Sequence, residues 1–252
     1  MSEVTSYTPG TFCWIELATT DPGAATRFYT ELFGLGSTVR PMGPDGHYTL
    51  LQKNGRDVAG IYRQLEEHAK QGVPPNWVSY VTVESADASR ARAIALGAQG
   101  GPEPFDVADI GRMAMLVDPT GAFIALWEPR KSPGAAVVNE HGALMWNELQ
   151  TVDVEKARAF YTQLFGWTAK TSADYVEFHK PDRAAGGMRE WKDGHANWLP
   201  YFGADDTSAI VRHAEELGGT TLLSTTDIPN VGKIAVLRDP QGATFAVITP
   251  MM

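Results

Sequence analysis

The sequence predicts an α+β protein built from four βαβββ units arranged as two tandem domains. Three observations carry that expectation. Residues 14–36 align without a gap on residues 146–168, sharing Trp, Glu, Leu, Thr, Asp, Ala, Phe, Tyr, Thr, Leu, Phe and Gly in order. The far ends of the halves correspond as well: DVADIGRMAMLVDPTGAFIAL (106–126) matches DIPNVGKIAVLRDPQGATFAV (227–247), and Asn76-Trp77 matches Asn197-Trp198. Within each half the hydrophobic pattern alternates as a strand, turns helical, returns to strands, and then does so again.

In chain order, FCWIELATT alternates as a strand and DPGAATRFYTELFG follows as a helix. Asp21 is placed to cap it, Pro22 fits its first turn, and Gly34 fits its end. Ala25, Phe28, Tyr29, Leu32 and Phe33 recur at helical spacing and give it one apolar face. HYTLLQKNGRDVAGIY reads as two strands around Asn54-Gly55. QLEEHAKQGVPPN, with its charge, glycine and paired prolines, reads as a surface linker. WVSYVTVE is a strand, SADASRARAIALGA a helix closed by Gly97, and RMAMLVDPTGAFIALW a hairpin turning at Asp118-Pro119-Thr120-Gly121. The second half repeats this order. The first domain is therefore expected at 8–130, with units 11–63 and 76–128. The second is expected at 141–250, with units 143–191 and 197–249. Residues 131–140, inside EPRKSPGAAVVNEHG, form the linker. Whether units pair within a half or across halves is left open by the sequence.

A chain of 252 residues with 43% hydrophobic content can bury full cores. Its net charge of −9, with Lys and Arg scattered, offers no basic stripe for nucleic acid or for an anionic membrane. No segment approaches the roughly 18 apolar residues of a membrane span, and MSEVTSYTPG shows no basic n-region followed by an apolar run, so a cytoplasmic protein is expected; a monomer or homodimer is expected as well. The single cysteine, Cys13, excludes an intrachain disulfide and reads as a small buried hydrophobe. H-E-x-x-H, G-x-S-x-G and P-loop patterns are missing, which leaves hydrolase and nucleotidase readings without support.

The duplicated βαβββ pattern, the FY-x-x-LFG helix and the closing D-P-x-G hairpin resemble the vicinal oxygen chelate superfamily. That superfamily includes glyoxalase I, extradiol dioxygenases, methylmalonyl-CoA epimerase and bleomycin-resistance proteins. The double-domain form with W-x-E-L in its first strand is similar to the actinobacterial hydroxylase-like proteins and the mycobacterial 27 kDa antigen group. The resemblance spans nearly the whole chain. It implies sheets curled into cups, with divalent metal ligands on the inner faces: a His in a unit's first strand and a Glu in its last. Carried onto this sequence, those positions fall on Trp14, Val78 and Ala125 in the first domain and on Trp146, Leu199 and Ala246 in the second. The loosely placed fourth position has Asp57 or Glu190 as its nearest carboxylate. One carboxylate per cup falls short of a site of the family type, so no metal is expected. The sequence sets no such limit on an organic cofactor such as a flavin.

If Trp14 points inward, alternation places Trp14, Glu16, Val78, Tyr80, Ala125 and Trp127 around the first cup. The second would hold Trp146, Glu148, Leu199, Tyr201, Ala246 and Ile248. Such walls suit a hydrophobic or planar ligand, but aromatic stripes also serve as plain core. Glu16 and Glu148 are read either as structurally hydrogen-bonded carboxyls or as acid/base groups whose pKa burial has raised. Arg112 and Lys233 begin corresponding strands and are read as cations at a cup mouth or as solvated charges. His47 and His179 are weaker acid/base candidates.

The first expectation for function is a binding protein that takes up a small hydrophobic or aromatic metabolite without metal. The alternative is a metal-independent enzyme performing proton transfer, lyase or oxygenase chemistry on an aromatic or carbonyl substrate. A metal-dependent glyoxalase or dioxygenase ranks third.

Overall fold

The computed structural model describes residues 3–42, 46–192 and 194–251. The first half contains β1 (Phe12–Thr19), α1 (Pro22–Phe33), β2 (Gly36–Met42), β3 (Gly46–Lys53), β4 (Arg56–Arg63), α2 (Glu66–Lys70), β5 (Asn76–Thr82), α3 (Ala86–Ala95), β6 (Gln99–Gly100), β7 (Phe105–Val107), β8 (Gly111–Val117) and β9 (Phe123–Pro129). The second contains β10 (Leu144–Thr151), α4 (Val154–Phe165), β11 (Thr168–Ser172), β12 (Tyr175–His179), β13 (Ala184–Glu190), β14 (Asn197–Gly203), α5 (Thr207–Glu216), β15 (Thr220–Ile228), β16 (Gly232–Arg238) and β17 (Thr244–Pro250).

Each half forms one mixed sheet. The first runs β2-β3-β4-β1-β5-β9-β8-β6 with β7 beside β8, and the second runs β11-β12-β13-β10-β14-β17-β16-β15. The two units of a half join through the antiparallel pairs β1–β5 and β10–β14, which answers the pairing question: units pair within a half. In each sheet the first strand of a unit also lies parallel to its last strand, β1 with β4 and β10 with β13.

The helices form where the sequence supplies caps. The Asp21 carboxylate accepts from Ala24 N, and Gly34 closes α1 at φ 64°, a left-handed conformation that costs glycine little. Asp153 and Gly166 do the same for α4. The apolar faces of the helices enter one core shared by both halves: Phe28 and Phe33 of α1 meet Phe245, and Phe33 stacks on Phe202 at 5.2 Å. Each such ring contributes about 1.5–3 kcal/mol of burial free energy, so the halves stabilise one another.

Three matched motifs converge at this seam. Trp77 Nε1 donates to Tyr29 Oη, 3.0 Å, and Tyr29 donates to Asp239 Oδ2, 3.0 Å, of the opposite half. Trp198, Tyr161 and Asp118 repeat the chain at 2.8 and 2.7 Å. The other oxygen of each Asp accepts the backbone amides of its own D-P-x-G turn. Thus the tyrosine of the FY helix, the N-W strand start and the hairpin Asp form a buried tie across the halves. The connection 131–140 is likewise built in: Ala135 and Val137 are buried, and Ala135 bonds to Cys13 O through its amide and to Tyr7 through its carbonyl. No helix among the described residues is long and apolar enough to cross a membrane.

Candidate functional site

Alternation along β1 puts Ile15 and Leu17 in the shared core and Trp14 and Glu16 on the opposite face of the sheet. There Trp14 meets Val78, Tyr80, Ala125 and Trp127, the set the sequence placed together, joined by Cys13 and Met113. The polar groups of this cup are linked. Trp14 Nε1 donates to Tyr48 Oη at 2.9 Å, Tyr48 donates to Glu16 Oε2 at 2.8 Å, and Tyr80 donates to Glu16 Oε1 at 2.5 Å. Tyr62 lies nearly parallel to Tyr48, their centroids 6.4 Å apart.

Gly60 makes this geometry attainable. It sits opposite Glu16 in the β1–β4 ladder, and a methyl group there would overlap the Tyr48 phenol. The bare backbone lets the phenol lie flat against the sheet and reach the carboxyl. Burial pushes the Glu16 carboxyl above the usual carboxylate range, and the Tyr80, Tyr48 and Trp14 donors pull it back down. Burial, reinforced by the Glu16 charge, drives the Tyr48 and Tyr80 phenols well up, which keeps them protonated and donating.

The second cup repeats the plan with several of its side chains changed. Trp146, Leu199, Tyr201, Ala246 and Ile248 cluster as expected. Trp146 Nε1 donates to Tyr175 Oη at 3.0 Å, and Tyr175 lies over Gly187, the partner of Glu148 in the ladder. Glu148 is 5% exposed, and its Oε1 has no hydrogen-bond partner among the described residues. Burial raises its pKa, while Arg189 and the Tyr201, Tyr175 and Gln150 side chains lower it. Arg189 takes the place that Tyr62 holds in the first cup, and Ile248 that of Trp127.

The aromatic stripe is partly packing. Tyr80, Trp127 and Met113 are buried, and Trp127 lies against Gly111 with its Nε1 donating to Ser132 O. Trp14, Glu16, Tyr48 and Tyr62 are only half-buried and form the accessible wall of the first cup. Three sequence candidates fall outside. His47 is exposed and shares its face of β3 with Thr49 and Leu51, opposite to Tyr48. Arg112 lies on the helix side of β8, where it pairs with Asp87 and Asp106, while its neighbour Met113 enters the cup. Lys233 is exposed on the corresponding side of β16, and Ile234 enters the second cup. Burial moves Cys13 up to about 12, which fits an inert thiol.

The sequence alone assigns no site role to Tyr48, Tyr62, Tyr175, Arg189, Gly60 or Gly187. The two glycines carried a usable signal, since a glycine inside a strand marks a close approach.

The residues present do not suit the metal that the resemblance implies. Its ligand positions hold Trp14, Val78 and Ala125, Asp57 is engaged by Gln52, and Glu190 is exposed beside Lys192. Among the described residues no group of three His, Cys, Asp or Glu side chains converges to hold an ion. Two hollows lie outside the first cup, and the second of them borders the second cup at Trp146. One of about 380 Å³ is bounded by Glu3, Asp57 and Lys131, and one of about 500 Å³ lies at the seam, bordered by Tyr7, Phe12, Lys180 and Trp146.

The glyoxalase-like domain model matches residues 14–126 and again 146–248. A Mycobacterium tuberculosis protein named "Putative glyoxylase CFP32" is 39% identical over 99% of this chain and 98% of its own. "Anthracycline biosynthesis protein DauV" from Streptomyces sp. (strain C5) is 34% identical over 97% of this chain and 95% of its own. Among solved structures, the 2,3-dioxygenase LapB from Pseudomonas sp. KL28 superposes with a TM-score of 0.68 at 14% identity, covering 100% of this chain and 94% of that one. The Mn(II)-bound glyoxalase from Novosphingobium aromaticivorans gives 0.68 at 13%, over 96% and 82%. At these identities the structural likeness concerns the fold.

Proposed function

Because the chain belongs to the glyoxalase-like domain family, within the vicinal oxygen chelate superfamily, we propose that it binds a small planar aromatic molecule in its cups without using a metal. The observation that carries this reading is the Glu16 carboxyl, held by two phenols within apolar walls where relatives of the fold would place a metal ion. Trp14, Tyr48 and Tyr62 offer flat faces to the ligand, and Glu16 meets a hydroxyl or carbonyl on its edge. The name of one relative ties it to anthracycline biosynthesis, and anthracyclines are planar aromatics of this kind.

The test is a fluorescence titration with alizarin, a hydroxylated anthraquinone, in the presence of excess EDTA. Saturable quenching is expected, weakened at least about tenfold in Glu16→Gln, equivalent to about 1.4 kcal/mol. Quenching that never saturates, or that EDTA abolishes, would contradict the proposal. A second reading rests on the raised pKa of Glu16, which suits a group that takes a proton from a bound carbon acid or enol and passes it back. In that case the ligand incubated with protein in deuterated water gains mass, and with Glu16→Gln it does not.

A further inference from the structure

The two cups share one plan but differ on one rung of each sheet. In the first half that rung reads Tyr48–Tyr62–Ala18 across β3, β4 and β1. In the second it reads Tyr175–Arg189–Gln150 across β12, β13 and β10. A neutral aromatic rim has become a cationic, amide-bearing one. Arg189 is half-buried, acts electrostatically on both Glu148 and Tyr201, and makes no side-chain hydrogen bond or ion pair among the described residues. On the neighbouring rung, Glu148 Oε1 is a buried acceptor without a donor among the described residues. A guanidinium without a partner among the described residues, one rung along the same face from a carboxylate oxygen that also lacks one there, is costly when left dry, and a ligand bearing one anionic group and one hydrogen-bond donor satisfies both.

Resting on the reading that the cups are binding sites, we infer that the second cup is specialised for an aromatic hydroxy acid. Its carboxylate pairs with Arg189, its hydroxyl donates to Glu148, and its ring lies against Trp146. The first cup, with Tyr62 at the corresponding position and no cation on that rung, takes neutral aromatics. The duplication has thus produced two sites of different charge preference on one chain.

The experiment uses full-length protein carrying fluorotryptophan, with the Trp14 and Trp146 fluorine resonances assigned through Trp14→Phe and Trp146→Phe. Para-hydroxybenzoate and its neutral amide, para-hydroxybenzamide, are titrated in parallel. The acid is expected to shift the Trp146 resonance at least about tenfold more tightly than the amide does. Arg189→Met should remove that preference while Arg189→Lys retains part of it, with melting temperatures checked for each variant. If the Trp146 resonance responds equally to acid and amide, or Arg189→Met leaves the preference intact, the inference fails and the binding reading survives. A response to the acid confined to Trp14 overturns it in the same way. If neither probe moves either resonance, both readings fall.

Discussion

Replacing Gly60 by alanine tests whether the Tyr48–Glu16 geometry depends on a bare backbone. The added methyl would occupy the place of the Tyr48 phenol oxygen, with the ring carbons also too close. Since the ring is half-buried and its hydroxyl is fixed by both Trp14 and Glu16, the phenol must leave. Its departure breaks the bond to Glu16 Oε2 and the bond from Trp14 Nε1. Two hydrogen bonds at about 1 kcal/mol each, plus the cost of a partly desolvated group left unpaired, give a loss of about 3 kcal/mol. For a chain of this size each kcal/mol corresponds to roughly 2–4 °C in melting temperature. The assay is urea or thermal unfolding of four proteins: wild type, Gly60→Ala, Tyr48→Ser and the double variant. Once the ring is gone, Gly60→Ala should be neutral or mildly stabilising, because glycine weakens a strand interior. Strong coupling is therefore expected, and additive effects within about 0.5 kcal/mol would refute the reasoning.

Glu16→Gln should change how stability depends on pH. Burial raises the folded-state pKa of Glu16 above its unfolded value near 4.5, so the folded protein binds the extra proton in that window. Stability from this group is fully present below the unfolded value and is lost as pH rises through the folded one. Relative to the variant, wild type should lose melting temperature from about pH 4.5 upward, and a constant gap across a pH series would count against it. Tyr29→Phe strands Asp239 Oδ2 and Trp77 Nε1 in the core, and a loss of about 2–4 kcal/mol is expected in denaturant unfolding, matched by Tyr161→Phe. Arg112→Ala should leave the alizarin titration unchanged, since its side chain pairs with Asp87 and Asp106 on the helix side of the sheet.

What the sequence disclosed follows from which signals are local. The helices of the two halves were legible because Asp21, Pro22 and Gly34 mark one and Asp153 and Gly166 the other. The inward pairs Trp14/Glu16 and Trp146/Glu148 were legible because alternation on β1 and β10 is backed by a helix-facing Ile15, Leu17 and Leu149. The candidates that fall outside the cups are each one residue out of phase with an inward position, and exposed Lys233 fits the solvated-charge alternative. His47 adjoins Tyr48, Arg112 adjoins Met113, and Lys233 adjoins Ile234. Side-chain direction reverses at every residue of a strand, and a bulge between Leu51 and Gln52 shifts the count on β3 and β4. The D-P-x-G aspartates were readable as turn formers because that role is local. Their second role, accepting from Tyr29 and Tyr161 of the opposite half, spans 210 and 43 residues and leaves no mark in either segment alone.

In the function proposed above, the first cup uses its carboxyl–phenol network, and no metal centre, to hold an aromatic ligand. A crystal structure of the EDTA-treated protein with alizarin tests this most directly. Density for the ring system is expected against Trp14 and Tyr48, with a ligand oxygen in hydrogen-bond distance of Glu16. Ligand density confined to the 500 Å³ hollow at the seam, with the Glu16 cup closed over its own side chains, would contradict it.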